Sequence, residues 1–241
     1  MHTEALMVLG LLLPLLGTTL GAMGALALRR NSPGREQQML GFAAGVMLAA
    51  SVWSLLLPAI DFSEAAGRAA WLPAAFGFLL GAAPVPLLCR LLPMEQSMLF
   101  WSVTLHNIPE GMAVGVALAA ARAGEEGALV PALALSFGIA VQNIPEGGVI
   151  ALPRALAGMK KSRACALGVL SGVVEPVAAA LTLLVASLVT AILPWVLAMA
   201  AGCMYFVTVE SLLPAAAEEK GGATAAVLGF ALMMLLDVAL G

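Results

Sequence analysis

The stretch "LHNIPEGMAV" runs from Leu105 to Val114, and "VQNIPEGGVI" follows it from Val141 to Ile150. Each places the sequence Asn-Ile-Pro-Glu-Gly within a segment that is otherwise apolar. An ionisable side chain inside a membrane-spanning segment is costly and by default indicates a functional site. The two motifs therefore raise two questions: whether these segments cross a membrane, and what their polar groups bind.

The composition is that of an integral membrane protein. Of 241 residues, 62% are hydrophobic and 10% are charged, and the mean hydropathy is +1.03, far above the range of a soluble domain. The net charge of -3 gives no basic excess for nucleic acid, so we expect membrane lipid and not nucleic acid as a partner. The three cysteines have no C-x-x-C spacing and predict neither a disulfide framework nor a zinc site.

Eight apolar runs of about 20 residues, the length that a helix needs to cross the hydrocarbon core, are separated by short polar turns. The runs do not alternate with the period of two that a β-barrel requires, so they predict membrane-spanning α-helices. No long polar segment remains, and we expect a single domain over residues 1–241. The predicted spans, one to eight in chain order, are 5–28, 40–60, 71–92, 98–121, 128–152, 164–189, 194–216 and 222–240.

The basic residues lie mainly on one side of this predicted membrane. The opposite side holds only Arg68 and Arg122. The positive-inside rule therefore places the larger group in the cytoplasm and both chain termini outside. The larger group consists of Arg29, Arg30, Arg35, Arg90, Arg154, Lys160, Lys161, Arg163 and Lys220.

The chain also contains an internal repeat. "AAGVMLAASVWSLLLPA" from Ala43 to Ala59 resembles "AAGCMYFVTVESLLPA" from Ala200 to Ala215, apart from a gap of one residue. Span two runs outward and span seven runs inward, and the motif-bearing spans four and five are also oppositely directed. We therefore predict an all-α fold with a 3+2+3 inverted repeat, a transporter design whose site lies near the midplane.

The polar residues of spans four, five and six converge at one depth. On an α-helix His106 and Glu110 share a face at positions i and i+4, as do Gln142 and Glu146. At about 1.5 Å per residue from the cytoplasmic ends, these groups and Glu175 lie roughly 12 to 16 Å deep. The candidate metal ligands are His106, Asn107, Glu110, Gln142, Asn143, Glu146 and Glu175.

Three carboxylates at this depth need a compensating cation. Spans four to six contain no lysine or arginine, and an uncompensated charge costs about 2.5 kcal/mol or more on insertion scales. Carboxylates with one imidazole and several amide oxygens suit zinc, iron(II), manganese or cadmium, and favour neither copper(I) nor calcium. The number of donors allows for two adjacent ions bridged by Glu110 and Glu146.

These motifs resemble a known family. "HNIPEG" in span four, "QNIPEG" in span five, "SGVVEP" from Ser171 to Pro176 in span six, and the Ala-Ala-Gly and Leu-Leu-Pro elements of spans two and seven are similar to the ZIP family of divalent metal transporters. The similarity covers all eight spans and is greatest to the bacterial GufA-like members. It implies uptake of zinc, and often iron, manganese or cadmium, into the bacterial cytoplasm through the inner membrane.

The resemblance also implies how the molecule works. Spans one, four, five and six would carry the metal, and spans two, three, seven and eight would form a scaffold, in an elevator-like movement. By matching motif positions, the seven candidate residues correspond to the family's ligands, so the metal is a transported substrate and not a catalytic cofactor. The small residues Gly77 and Gly81 would fit either a homodimer interface or contacts within the chain.

The chain departs from the family pattern at two positions. Many members have His where this chain has Gln142, and some have Asp where it has Asn143, which weakens the prediction of zinc selectivity and of a second metal position. Glu210 fits either an exit-path ligand or a carboxylate that reaches the interface. Asp61 and Asp237 lie near the predicted outer face, where we expect solvated side chains that help to attract cations.

Two other classes of function also bury acids in a membrane. An intramembrane metalloenzyme of the zinc hydrolase type needs two His at i and i+4, whereas this chain has only His106 besides His2 at its terminus. A proton-coupled carrier of a small organic substrate needs a roomier cavity, whereas spans four to six are rich in Ala, Gly and Val. We therefore expect a metal transporter and not an enzyme.

Overall fold

The structure is a computed structural model, and it describes residues 2–28, 35–87, 95–123, 127–218 and 220–240. In these residues all regular secondary structure is helical, as the continuous apolar runs predict. Three segments are π-helical: Ser51–Leu56, Pro73–Gly77 and Thr208–Leu212. The α-helices are α1 (His2–Ala27), α2 (Arg35–Ala50), α3 (Leu57–Ala65), α4 (Phe78–Ala82), α5 (Glu95–Arg122), α6 (Leu129–Leu156), α7 (Lys161–Gly172), α8 (Val174–Val207), α9 (Leu213–Ala217) and α10 (Gly222–Leu240).

Five helical stretches in the described residues are long and apolar enough to cross a membrane. The chain is therefore a multi-pass helical membrane protein. Arg29, Arg30 and Arg90, three of the predicted cytoplasmic residues, lie outside the described residues, as does the end of predicted span three. The five stretches are Thr3–Ala27, Gln37–Ala65, Leu129–Leu156, Lys161–Ala217 and Gly222–Ala239.

The predicted boundary between spans six and seven is wrong. The sequence suggested a break at residues 190–193, whereas α8 continues through these residues and leaves helical geometry at Val185, with φ -133° and ψ 30°. Residues 190–193 contain no glycine or proline that would end a helix. The chain therefore changes direction earlier than the hydropathy pattern indicated.

The two segments of the internal repeat share an uncommon helical feature. Ser51–Leu56 lies in the first and Thr208–Leu212 in the second, and both are π-helical. Each is followed directly by Leu-Pro, at Leu57 and Leu213. Proline has no N–H for the α-helical hydrogen bond, and the widened turn precedes it in both segments. The repeat in the sequence thus recurs in the backbone.

Close packing through glycine divides the described residues into two bodies. At several glycines, an added Cβ would overlap the backbone of another helix. Among the described residues, all such glycine contacts join helices of the same body, and none joins the two bodies. We call the bodies the site body and the support body. The site body comprises residues 2–28, 95–123 and 127–184, and the support body comprises residues 35–87, 186–218 and 220–240.

One example from each body shows how close this packing is. In the site body, a Cβ added at Gly21 would overlap the backbone carbonyl of Ile144, so α1 and α6 touch backbone to backbone. In the support body, a Cβ added at Gly45 would overlap the carbonyl of Ala226, so α2 and α10 do the same. Such contacts fix the register of each helix pair, and we infer that each body is rigid.

The two bodies meet through side chains. Val149 and Ile150 of α6 lie in one hydrophobic cluster with Met47 of α2 and Leu197 of α8. These side chains are almost fully buried, so the interface is well covered. The contacts of this cluster are apolar and non-directional, unlike the backbone contacts inside each body.

Gly77 and Gly81 pack within the chain. A Cβ at Gly77 would meet Ala198, and one at Gly81 would overlap the backbone of Met199, both on α8. The small-residue face therefore joins the third predicted span to the seventh. The homodimer stays a prediction.

Candidate metal site

Three ionisable side chains of α5 and α6 form a compact buried group. His106, Glu110 and Glu146 each offer a ligand atom, and these atoms all lie within 4.8 Å of one another. Nδ1 of His106 is 3.9 Å from Oε1 of Glu110, as the i and i+4 spacing predicts. Nε2 of His106 is 2.9 Å from Oε2 of Glu146, a contact that crosses from α5 to α6. The two motifs thus meet at one place.

Several buried polar atoms of this region have no hydrogen-bond partner among the described residues. An unpartnered buried polar atom costs about 1–3 kcal/mol, and more when it is charged. A bound cation would satisfy carboxylate and amide oxygens and a deprotonated imidazole nitrogen together. These atoms are His106 Nδ1, Asn107 Oδ1, both carboxylate oxygens of Glu110, Asn143 Oδ1, Glu146 Oε1 and Asp237 Oδ2.

Glu175 has different surroundings, because its carboxylate accepts hydrogen bonds from three helices. Oε1 accepts from the Thr18 hydroxyl of α1 at 3.1 Å and from the Asn107 amide of α5 at 2.9 Å. Oε2 accepts from the Asn143 amide of α6 at 2.7 Å. The structure therefore brings the predicted residues Asn107, Asn143 and Glu175 together, as a hydrogen-bonded cluster that includes Thr18.

Gln142 makes its hydrogen bond to a residue outside the group of His106, Glu110 and Glu146. Its amide donates to Oδ1 of Asp237 on α10, and the same oxygen accepts from the Ser54 hydroxyl at 2.8 Å. This set of contacts joins α6 of the site body to α10 and to the π-helical segment of the support body. Gln142 is thus a contact between the bodies as the structure describes it.

The expectation that Asp237 is solvated is wrong. Its side chain is 6% exposed and lies beside the central group. Counting residues along the predicted span gave the depth of Asp237 in the membrane. It did not show which face of α10 the side chain lies on, because α10 is apolar on every side and has no periodic pattern. Close packing of Gly45 and Gly229 between α2 and α10 sets the rotation that turns Asp237 inward. Asp61, in contrast, is exposed as expected.

A cavity of about 410 Å³ connects these groups to the surface. Its lining includes the exposed Asp61 and the buried Glu110, with Ser54, Gln142 and Asp237 between the two bodies. Most of the remaining lining is apolar. The cavity therefore gives a route from the predicted outer face to a carboxylate of the central group.

Glu210 is exposed on the π-helical segment Thr208–Leu212 and is not part of the buried group. Its role stays a prediction. Sequence reasoning missed Thr18 and Ser54 altogether. A usable signal existed for Thr18, since "GTTLG" at residues 17–21 places hydroxyls between two glycines in an apolar span. For Ser54, the matching position of the internal repeat is Ser211, which is also a serine.

The described residues thus form a multi-pass helical membrane protein with a buried group of carboxylates, one imidazole and several amides. A family model for the ZIP zinc transporters matches residues 91–237. The zinc transporter GufA of Myxococcus xanthus is 36% identical, over 93% of this chain and 94% of its own length. The zinc transporter ZIPB of Bordetella bronchiseptica is 37% identical, over 93% of this chain and 78% of its own.

Similarity extends to eukaryotes. The zinc transporter ZIP11 of Xenopus tropicalis is 32% identical, over 94% of this chain and 97% of its own length. The chain belongs to the ZIP family, and the GufA-like resemblance predicted from its motifs is confirmed. This family consists of transporters, so the expectation of a transporter and not an enzyme is also confirmed.

Proposed function

We propose that the protein transports divalent transition-metal ions, zinc first and iron, manganese or cadmium as further candidates, across the membrane into the cytoplasm. The observation that carries this proposal is the buried group of His106, Glu110 and Glu146, whose ligand atoms lie within 4.8 Å of one another. His106 Nδ1, both carboxylate oxygens of Glu110 and Glu146 Oε1 lack hydrogen-bond partners among the described residues, as a cation site requires. The relatives named above are zinc transporters.

His106, Glu110 and Glu146 are the proposed ligands of the transported ion. Imidazole and carboxylate together suit zinc and its neighbours in the first transition row. The buried, unpartnered Oδ1 atoms of Asn107 and Asn143 are neutral oxygen donors on the same two helices. A mixed set of this kind binds an ion without a thiolate, which favours release over permanent retention.

We further propose eight membrane spans in a 3+2+3 inverted repeat, as a single domain with both termini outside the cytoplasm. The matching π-helical segments support the repeat. The stretch Lys161–Ala217 has 57 residues, about 85 Å of helix, which is far more than one crossing needs. The break at Val185 divides it into two spans.

Contacts between residues at or near the ends of predicted spans support this topology. Lys161 donates to the carbonyls of Leu26 and Leu28, which joins two connections predicted to be cytoplasmic. Arg68 donates to the carbonyl of Ala191 at 2.8 Å, which joins a connection predicted to be external to the helix that follows the break at Val185. By the positive-inside rule and the bacterial resemblance, the membrane is the inner membrane of a bacterium.

An elevator-like movement follows from the two bodies. Backbone contacts hold each body together, whereas an apolar side-chain cluster and the contact between Gln142 and Asp237 join the two bodies, so the site body can slide with the ion while the support body stays fixed. The cavity that reaches Glu110 lies on one side of the site, and sliding would close it. The contact between Gln142 and Asp237 would break during each movement.

The test is zinc uptake into proteoliposomes loaded with a zinc-sensitive dye, under an inward zinc gradient. We expect Glu146→Gln to reduce uptake to the level of protein-free vesicles, because it removes a charged ligand and the partner of His106. Glu64→Gln is the matched control, since Glu64 is an exposed acid outside the site. Uptake by Glu146→Gln equal to that of Glu64→Gln would contradict the proposal.

A further inference from the structure

We propose that the protein binds one metal ion at a time, and that Glu175 is a positioning residue for the two motif asparagines and does not bind the ion. This inference rests on the proposed function, since it concerns the site through which the ion would pass. It differs from a binuclear site, in which Glu175 would be a ligand.

The first step concerns the Glu175 carboxylate, both of whose oxygens already have hydrogen-bond donors. Both of its oxygens accept hydrogen bonds, from Thr18, Asn107 and Asn143, and all four side chains are buried. A cation at Glu175 would lie against the N–H groups of the two amides, whose partial positive charges repel it. Glu110, in contrast, has two oxygens without hydrogen-bond partners among the described residues.

The second step concerns the direction of the asparagine side chains. Each amide turns its NH₂ group toward Glu175, because the NH₂ group donates hydrogen bonds and the carboxylate oxygens accept them. The Oδ1 atom of each amide then points away from Glu175, and both Oδ1 atoms are buried and unpartnered among the described residues. Glu175 thereby presents two amide oxygens as ligands for an ion bound by His106, Glu110 and Glu146.

The third step is the role of Thr18. Its hydroxyl is 3.1 Å from Glu175 Oε1 and 3.3 Å from the Pro14 carbonyl, and its single hydrogen favours the nearer, charged acceptor. Gly147 and Gly172 pack directly on Thr18, and a Cβ at Gly172 would lie 2.8 Å from its side chain. Thr18 therefore holds Glu175 in place from α1.

The fourth step identifies Asn143 as the residue that sets the number of ions. With an aspartate at this position, two carboxylates would face each other across the 2.7 Å that now separates the Asn143 amide from Glu175. Two carboxylates in contact cannot both stay ionised without a cation between them. Asn143→Asp should therefore create the second ion position that the native chain lacks.

The first experiment counts bound ions. The purified full-length protein in detergent is equilibrated with Cd²⁺ or Zn²⁺, the ions per chain are measured by mass spectrometry, and X-ray absorption at the metal edge reports any metal–metal distance. We expect one ion without metal–metal scattering for the native chain and for Glu175→Gln. Asn143→Asp should bind two ions, with scattering at about 3.5–4 Å.

Two ions in the native chain, reduced to one by Glu175→Gln, would overturn the inference. One ion in Asn143→Asp would also overturn it, provided that circular dichroism shows an intact fold.

The second experiment tests positioning. Thr18→Val should weaken Cd²⁺ binding by roughly 10- to 100-fold, as expected for an outer-sphere residue, and Thr18→Ser should restore it. Unchanged affinity in Thr18→Val would also contradict the proposed role of Glu175.

The two proposals fail separately. Stoichiometry is measured on the purified protein and does not depend on movement across a membrane. One bound ion without vesicle uptake would leave this inference standing and would reject the proposed transport. Uptake that depends on Glu146, together with two bound ions in the native chain, would support transport and reject the single-ion site.

Discussion

The two Asn-Ile-Pro-Glu-Gly segments are identical over five residues, yet the residue that precedes each motif contacts a different part of the molecule. His106 of α5 turns toward Glu110 and Glu146, inside the site body. Gln142 of α6 donates to Asp237 of α10, in the support body. The asparagines, in contrast, behave alike, because both amides donate to Glu175.

The two motif segments therefore have different roles, which the repeated sequence alone did not distinguish. The α5 segment supplies the imidazole that we propose as a ligand, whereas the α6 segment supplies a contact between the two bodies. In an elevator-like transporter, the first contact must persist during movement and the second must break. The internal symmetry therefore gives two similar scaffolds, and a single side chain in each decides the task.

The largest effect should come from making the two segments alike. His106→Gln removes the only imidazole of the central group, and we expect metal affinity to fall by more than the roughly 10- to 100-fold loss typical of an outer-sphere residue. Zinc uptake into dye-loaded vesicles should fall with it. Uptake close to that of the native chain would show that Gln serves equally well in both segments.

A swap sharpens this result. The double variant His106→Gln with Gln142→His keeps the composition of the site but moves the imidazole to the side that faces Asp237. We expect no rescue of uptake. Full rescue would mean that the two positions are equivalent and that the comparison between the segments fails.

Much of the fold was predictable because membrane helices are read from length and hydropathy. The predicted all-helical membrane fold is confirmed. The break at Val185 was not predicted, because hydropathy does not detect a local change of backbone angles within an apolar run. The two bodies were implied by family resemblance alone, whereas the structure gives them a physical basis in glycine contacts.

The site was predictable only in part. The i and i+4 spacing correctly placed His106 beside Glu110, since both lie on one helix. Thr18 was missed, and Asp237 was wrongly predicted to be solvated, because the directions of these side chains depend on how α1 and α10 pack against other helices. A helix that is apolar on all sides carries no periodic signal for such a direction. Residues on other helices therefore need the tertiary structure.

A smaller effect should come from Asp237→Ala, which removes the acceptor of Gln142. The buried amide would lose its partner, at a cost of about 1–3 kcal/mol, so we expect a lower midpoint of thermal unfolding in detergent. Asp237→Asn keeps an acceptor oxygen and should recover most of the loss. Equal midpoints for the native chain and Asp237→Ala would show that the contact between the bodies contributes no stability.

The smallest effect should come from Ser54→Ala, because Asp237 would keep Gln142 as a donor. Ser54 is only partly buried, so water can replace its hydroxyl, and we expect a loss of about 0.5 kcal/mol in unfolding free energy. Ser51→Ala is the matched control in the same π-helical segment, since Ser51 bonds the Leu48 carbonyl of its own helix. If Ser54→Ala changes the rate of zinc uptake and Ser51→Ala does not, the hydroxyl acts through Asp237 on the contact between the bodies. If both variants change uptake equally, the π-helical segment affects transport through its backbone, and the Gln142 contact is not the feature that distinguishes the two motif segments.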